Sequence, residues 1–157
     1  MGLRNITVRR EDVVLADGQK FQVRGLTAFD LFGAMSAYGP QISMLFASLT
    51  EGRKAGSRLT NDEVKNAILA SVREFPDLIA YAVASASDDP SPEAMAAFKM
   101  LPPATQLETV ERVFALTFHS EGEVKKLVES LSRMMLAASV ALKEATSQIG
   151  IGASVAK

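Results

Sequence analysis

Thr60-Asn61-Asp62-Glu63-Val64-Lys65-Asn66-Ala67-Ile68-Leu69-Ala70-Ser71-Val72-Arg73-Glu74-Phe75-Pro76-Asp77-Leu78-Ile79 carries the grammar of most of the chain. Thr60 with Glu63 three residues later forms a capping box. The hydroxyl takes the Glu63 amide, and the carboxylate reaches back to the amide of Thr60. Val64, Ile68 and Val72 follow at four-residue steps, one face of an α-helix. Pro76 ends that helix and opens the next in the first-turn position, where its missing N–H costs nothing. Helices joined by turns point to a mainly α fold, a helical bundle of about five to seven helices. It spans residues 27–147, behind a small N-terminal β-hairpin in residues 1–26 and ahead of a flexible tail at 148–157. The whole is expected to be one structural domain.

Downstream, the helix from Pro76 carries Leu78, Ile79, Ala82 and Val83 until Ser87-Asp88-Asp89-Pro90 breaks it. Ser91-Pro92-Glu93 begins a short helix that ends before Pro102-Pro103. Leu107, Val110, Phe114 and Phe118 then recur at three- and four-residue steps. Ser120-Glu121-Gly122-Glu123 is a second capping box, opening a stretch that reaches about Ser147, on the order of 36–40 Å at about 1.5 Å per residue. Val124, Val128, Leu131, Met135, Ala138 and Leu142 form a heptad seam along it, which Leu127 and Met134 widen by one row. Such a stripe suits either an intramolecular core or contact with another chain. Lys125 and Lys126 fall in its first turn, where the helix dipole disfavours cations. They fit a solvated face or an acidic partner.

Upstream, Thr27 followed by Asp30 predicts another helix start, with Phe29, Leu31, Phe32 and Met35 on the buried face and Gly39-Pro40 as the stop. A second short helix is expected from Pro40 to Leu49, with Ile42, Leu45, Phe46 and Leu49 inward. The loop Glu51–Arg58 is basic and Gly-bearing, but it lacks the Gly-Lys-Ser/Thr ending of a phosphate-binding loop. Before Thr27 the period is two: Ile6 with Val8, Val13 with Leu15, Phe21 with Val23. Asp17-Gly18 supplies the positive φ of a tight turn. This reads as a hairpin of two or three strands, serving as a lid on the helices or as an edge for a partner's sheet.

Composition narrows the chemistry. The 157 residues include no Cys and one His, with 17 Lys+Arg against 18 Asp+Glu. Disulfides, thiol nucleophiles and thiolate zinc sites are excluded. His119 alone supports neither a metal cluster nor a hydrolytic triad, and its position suits capping of terminal carbonyls. Balanced charge argues against a dedicated nucleic-acid binder. No enzyme, cofactor or metal site is expected. The chain also lacks an 18-residue apolar run, a secretory h-region and the Ser or Thr that a myristoylation signal needs at Ile6, so a cytoplasmic protein without a membrane partner is expected. The 23 Ala and 7 Met suit helices with close contacts and adaptable surfaces.

In order and spacing these motifs resemble the tail assembly chaperones of long-tailed bacteriophages, also called pre-tape-measure proteins, from about residue 6 to residue 145. The elements are a β ribbon leading into Arg24-Gly25-Leu26-Thr27 and Asp30, then Gly39-Pro40 after the first helix. Glu74-Phe75-Pro76-Asp77-Leu78-Ile79, Leu101-Pro102, Gln106-Leu107 and Leu116-Thr117-Phe118 follow, and Gly122 with Lys125-Lys126-Leu127 closes the pattern. Phe98-Lys99-Met100-Leu101 and the Ala- and Gly-bearing tail depart from it. The resemblance implies a non-catalytic chaperone that coats the long helical tape measure protein, keeps it soluble and leaves as tube subunits polymerise. It implies multiple copies per partner, a possible link to the tail tube protein, and a longer frameshifted form of the same chain. The setting would be the host cytoplasm, with the protein absent from the mature virion. Periodicity offers Leu107, Val110, Phe114, Phe118, Val124, Lys125, Lys126, Val128, Leu131, Met135 and Leu142 as partner-binding residues, and with the resemblance the two helices are expected to frame a groove for the tape measure protein. Alternatives are a tail-completion or tube-associated subunit retained in the virion, and a small DNA-binding regulator using Arg53, Lys54 and Arg58.

Overall fold

Alternation around Asp17-Gly18 does produce a hairpin: β1 (Arg10–Val14) pairs antiparallel with β2 (Lys20–Arg24), Val13 opposite Phe21 and Glu11 opposite Val23. The Gly18 amide donates to the Leu15 carbonyl at 2.9 Å, and φ of Gly18 is 83°, open to glycine without steric cost. The computed structural model describes residues 7–51 and 60–120, and within 122–144 residues 122–123, 125–127, 129–130, 133–134, 136–137, 140–141 and 143–144. Among them the ribbon has two strands; Ile6 lies outside. Val13 and Val23 are fully buried against Ala86, Val113 and Leu116, so the hairpin is a lid on the helices.

The chain divides into two compact units, Met1–Glu121 and Gly122–Lys157. In the first, α1 (Ala28–Thr50), α2 (Asn61–Glu74), α3 (Pro76–Ala86), α4 (Pro92–Met100) and α5 (Pro103–Thr117) follow the hairpin. In the second, every described residue from 122 to 144 is helical. The fold is mainly α with a small hairpin, as the sequence requires. The capping box at Thr60 forms in full, the Glu63 amide donating to Thr60 Oγ1 at 3.3 Å and the Thr60 amide to Glu63 Oε2 at 2.9 Å. Thr27 and Asp30 form another. Pro76 and Pro92 occupy first-turn positions, as read.

α3 is the hub. Leu78, Ile79, Ala80, Val83, Ala84 and Ala86 are all buried, and α1, α2, α4 and α5 each pack on it. A helix apolar nearly all round belongs at the centre of a bundle. Ile79, Ala80 and Val83 meet Phe98 of α4 and Val110 of α5 in one core cluster. The hairpin closes the other.

α1 bears out one reading and corrects another. Gly39-Pro40 marks a break: Tyr38 leaves helical geometry at φ −130°, ψ 28°, and α1 joins two helices across that kink, the second running on to Thr50. Proline removes one i→i−4 bond and crowds the preceding turn, which produces a kink where neighbours hold both halves. Phe29 and Phe32 do not face the core; they are 86% and 53% exposed. The face toward α3 is made of small residues. Ala34 is buried, and a Cβ on Gly33 would lie 2.4 Å from the Tyr81 hydroxyl. That close approach fixes the rotation of α1 and turns both phenylalanines outward.

Candidate partner-binding surface

The C-terminal end of α5 is held by the chain that joins the hairpin to α1 before it presents any surface. Thr117 Oγ1 donates to the Val113 carbonyl at 2.6 Å and accepts the Leu26 amide at 2.9 Å. Gly25 lies so close that a Cβ would sit 2.3 Å from the Leu116 carbonyl oxygen. The joint between hairpin and α1 is thus pressed onto the last turn of α5.

The same joint is locked by an ion cluster around Arg24. Its Nη1 binds Asp30 Oδ2 at 2.7 Å and its Nε binds Asp88 Oδ1 at 2.7 Å, while Nη1 also donates to the Gly25 carbonyl and Nη2 to that of Ser85. Arg10 reaches the other Asp88 oxygen at 2.6 Å. Hydrogen bonds from Arg24 and then Arg10 hold the Asp88 carboxyl below its ordinary pKa. Burial alone would raise Asp30, but bonds from Arg24 and from the amide and hydroxyl of Thr27 bring it below the ordinary value. The cluster joins β1, β2, α1 and the end of α3.

Asp88 does this from a left-handed backbone position, φ 59°, where glycine is the usual residue. It is the residue after the C-cap of α3. Its amide donates to Ser85 and that of Asp89 to Ala84, each at 3.0 Å, the two bonds of a Schellman motif. A glycine would satisfy the turn but could not hold the two arginines.

On this frame the periodic residues of α5 separate. Val110 is 5% exposed; it packs in the core and also lines the cleft beside Phe114. Leu107 is 41% exposed. Phe114 and Phe118 are half-buried, their rings 4.8 Å apart and tilted by 52°. They border a half-open cleft of about 70 Å³, whose other walls include Leu26, Ile68, Ile79 and Ala82. Those four were not named as partner-binding residues, because a cleft between three helices and a loop is a tertiary feature; only their apolar period is local. Its volume is about half of an apolar cavity that accepts benzene, roughly 150 Å³. It suits one aliphatic side chain.

Lys125 and Lys126 are exposed, and Lys125 Nζ lies 3.7 Å from Glu129, an i,i+4 pair that offsets its place near the helix start. Val124, Val128, Leu131, Met135, Ala138 and Leu142 lie outside the described residues, as do Glu121 of the second capping box, residues 52–59 of the basic loop, and the tail. Large apolar side chains are also exposed at Phe29, Phe32, Met44 and Met100. Among the described residues no three acidic or histidine side chains gather as metal ligands, and no helix is long and apolar enough to cross a membrane.

Compared with known protein families, residues 1–149 match the family described as pre-tape measure protein. No curated protein and no solved structure matches the chain.

Proposed function

We propose, from the premise that this chain belongs to the pre-tape measure protein family and so to phage tail assembly, that it is a chaperone of the tape measure protein. The observation that carries this reading is the half-open apolar cleft bordered by Phe114 and Phe118. A tape measure presents long apolar helix faces that aggregate unless covered. Seating one aliphatic side chain in such a cleft is worth at most about 1.5–3 kcal/mol, the value for full burial. One such contact is weak and reversible, which suits a protein that must leave as the tube closes. Tenacity comes from many copies along one helical partner, each adding its own contact. Leu107 and the outward Phe29 and Phe32 offer further apolar area on the same unit. The work belongs to the host cytoplasm, on a chain without catalytic duty. A longer frameshifted form would use the same unit to carry a second binding segment to the tail tube protein.

Co-expression with the cognate tape measure tests this. The tape measure should remain soluble with the wild-type chain and precipitate without it. Phe118→Ala and Phe114→Ala should reduce the soluble fraction while circular dichroism still shows a folded helical protein. Equal tape measure solubility with and without the chain would refute the reading. Mass spectrometry of purified virions should find none of it; stoichiometric amounts there favour a retained subunit.

A further inference from the structure

In the second unit, Arg133, Leu136, Ala137, Val140, Ala141 and Glu144 line one shallow surface depression. Their spacing of 3, 1, 3, 1 and 3 residues places them in one row along a single helix. The row is open: Leu136 is 67% and Val140 48% exposed, and the Arg133 side chain is 81% exposed.

The row is also palindromic in chemistry. Around a midpoint between Ala138 and Ser139, Arg133 is as far before as Glu144 is after. Leu136 mirrors Ala141 in the same way, and Ala137 mirrors Val140. We infer that this face pairs antiparallel with the same face of a second copy of the chain. A two-fold axis at the midpoint sets Arg133 opposite the second copy's Glu144, and Glu144 opposite its Arg133, closing both ends with unlike charges. Between them each large side chain meets a small one, Leu136 on Ala141 and Val140 on Ala137, so the helices approach closely without collision. A parallel pair would set Arg133 against Arg133 and Glu144 against Glu144, and like charges oppose it. Tape measure binding plays no part in this contact.

Sedimentation velocity of the full chain over a concentration series should show a reversible dimer. Arg133→Glu alone and Glu144→Arg alone should each weaken self-association by roughly tenfold or more, since each puts like charges at both ends. The double swap Arg133→Glu/Glu144→Arg should restore it, because unlike charges again meet. The chain has no native Cys, so cross-linking is clean. A mixture of Ala137→Cys and Val140→Cys chains should form an inter-chain disulfide faster than either variant alone. A chain monomeric at every concentration overturns the inference. So does a double swap as weak as the single ones, or a mixture that cross-links no faster than its components. Circular dichroism on each variant excludes misfolding as the cause.

Discussion

Replacing Arg24 with Met keeps most of the aliphatic stem and deletes the centre of the ion cluster. Five hydrogen bonds go: to Asp30 at 2.7 and 3.4 Å, to Asp88 at 2.7 Å, and to the carbonyls of Gly25 at 2.8 Å and Ser85 at 3.0 Å. They are not equal. The Asp88 side chain is 43% exposed, so water replaces the arginine there and the loss is about 0–1 kcal/mol. Asp30 is 16% exposed; it keeps its Thr27 bonds but loses a charged donor, about 1.5–3 kcal/mol. The partly buried carbonyls lose a donor, adding a smaller amount. About 3 kcal/mol in all is a large part of a typical 5–15 kcal/mol stability, and lowers the melting temperature by roughly 6–12 °C. The pH dependence checks the mechanism. Asp30 and Asp88 are held below their unfolded pKa, so their contribution is present above that value, near 4, and is lost as pH falls toward the folded one. Urea unfolding followed by circular dichroism at neutral pH and at about pH 2.5 reads both quantities. The gap between wild type and Arg24→Met should shrink in acid. A loss below about 1 kcal/mol at neutral pH, or the same gap at both, refutes the account.

Asp88→Gly should exchange one effect for another. Relief of the left-handed backbone is worth roughly 1 kcal/mol, against the loss of two ion pairs, so the variant should be no better than wild type at neutral pH and more stable than it in acid. The urea midpoint at the two pH values checks the crossing. Gly25→Ala should cost about 1–3 kcal/mol, because the obstacle is the Leu116 backbone carbonyl and not a side chain that can swing away; thermal unfolding measures it. Thr60→Ala should cost about 1 kcal/mol through loss of the helix cap, seen as a lower urea midpoint with an unchanged slope.

What sequence could tell about this protein follows the range of each interaction. The capping box at Thr60, the first-turn prolines 76 and 92 and the Asp17-Gly18 turn act within a few residues, and each formed where it was read. Spacing also identified a face on α5, but not which edge of that face meets solvent. Leu107 and Val110 look alike in period, and only the packing of α3 and α4 makes one a surface residue and the other core. For α1, apolar size suggested that Phe29 and Phe32 face inward. The rotation was decided instead by Gly33 and Ala34, which let the helix approach Tyr81. Arg24 drew notice only as part of a motif. Its partners lie 6 and 64 residues away, beyond any local rule.

The clamp of Leu26 on Thr117 spans 91 residues, and this sets a schedule. The hairpin leaves the ribosome before α5, yet two of the residues that bury Val13 and Val23, Val113 and Leu116, come only with α5. At about 5–20 residues per second, it waits roughly 5–20 s for α5. During that wait its apolar face is open to water and to neighbouring nascent chains. Stalled chains ending before Thr117 should be cut by protease within residues 10–24, and chains that carry all of α5 outside the ribosome should resist. Early strands that resist before α5 exists would show that they find another cover.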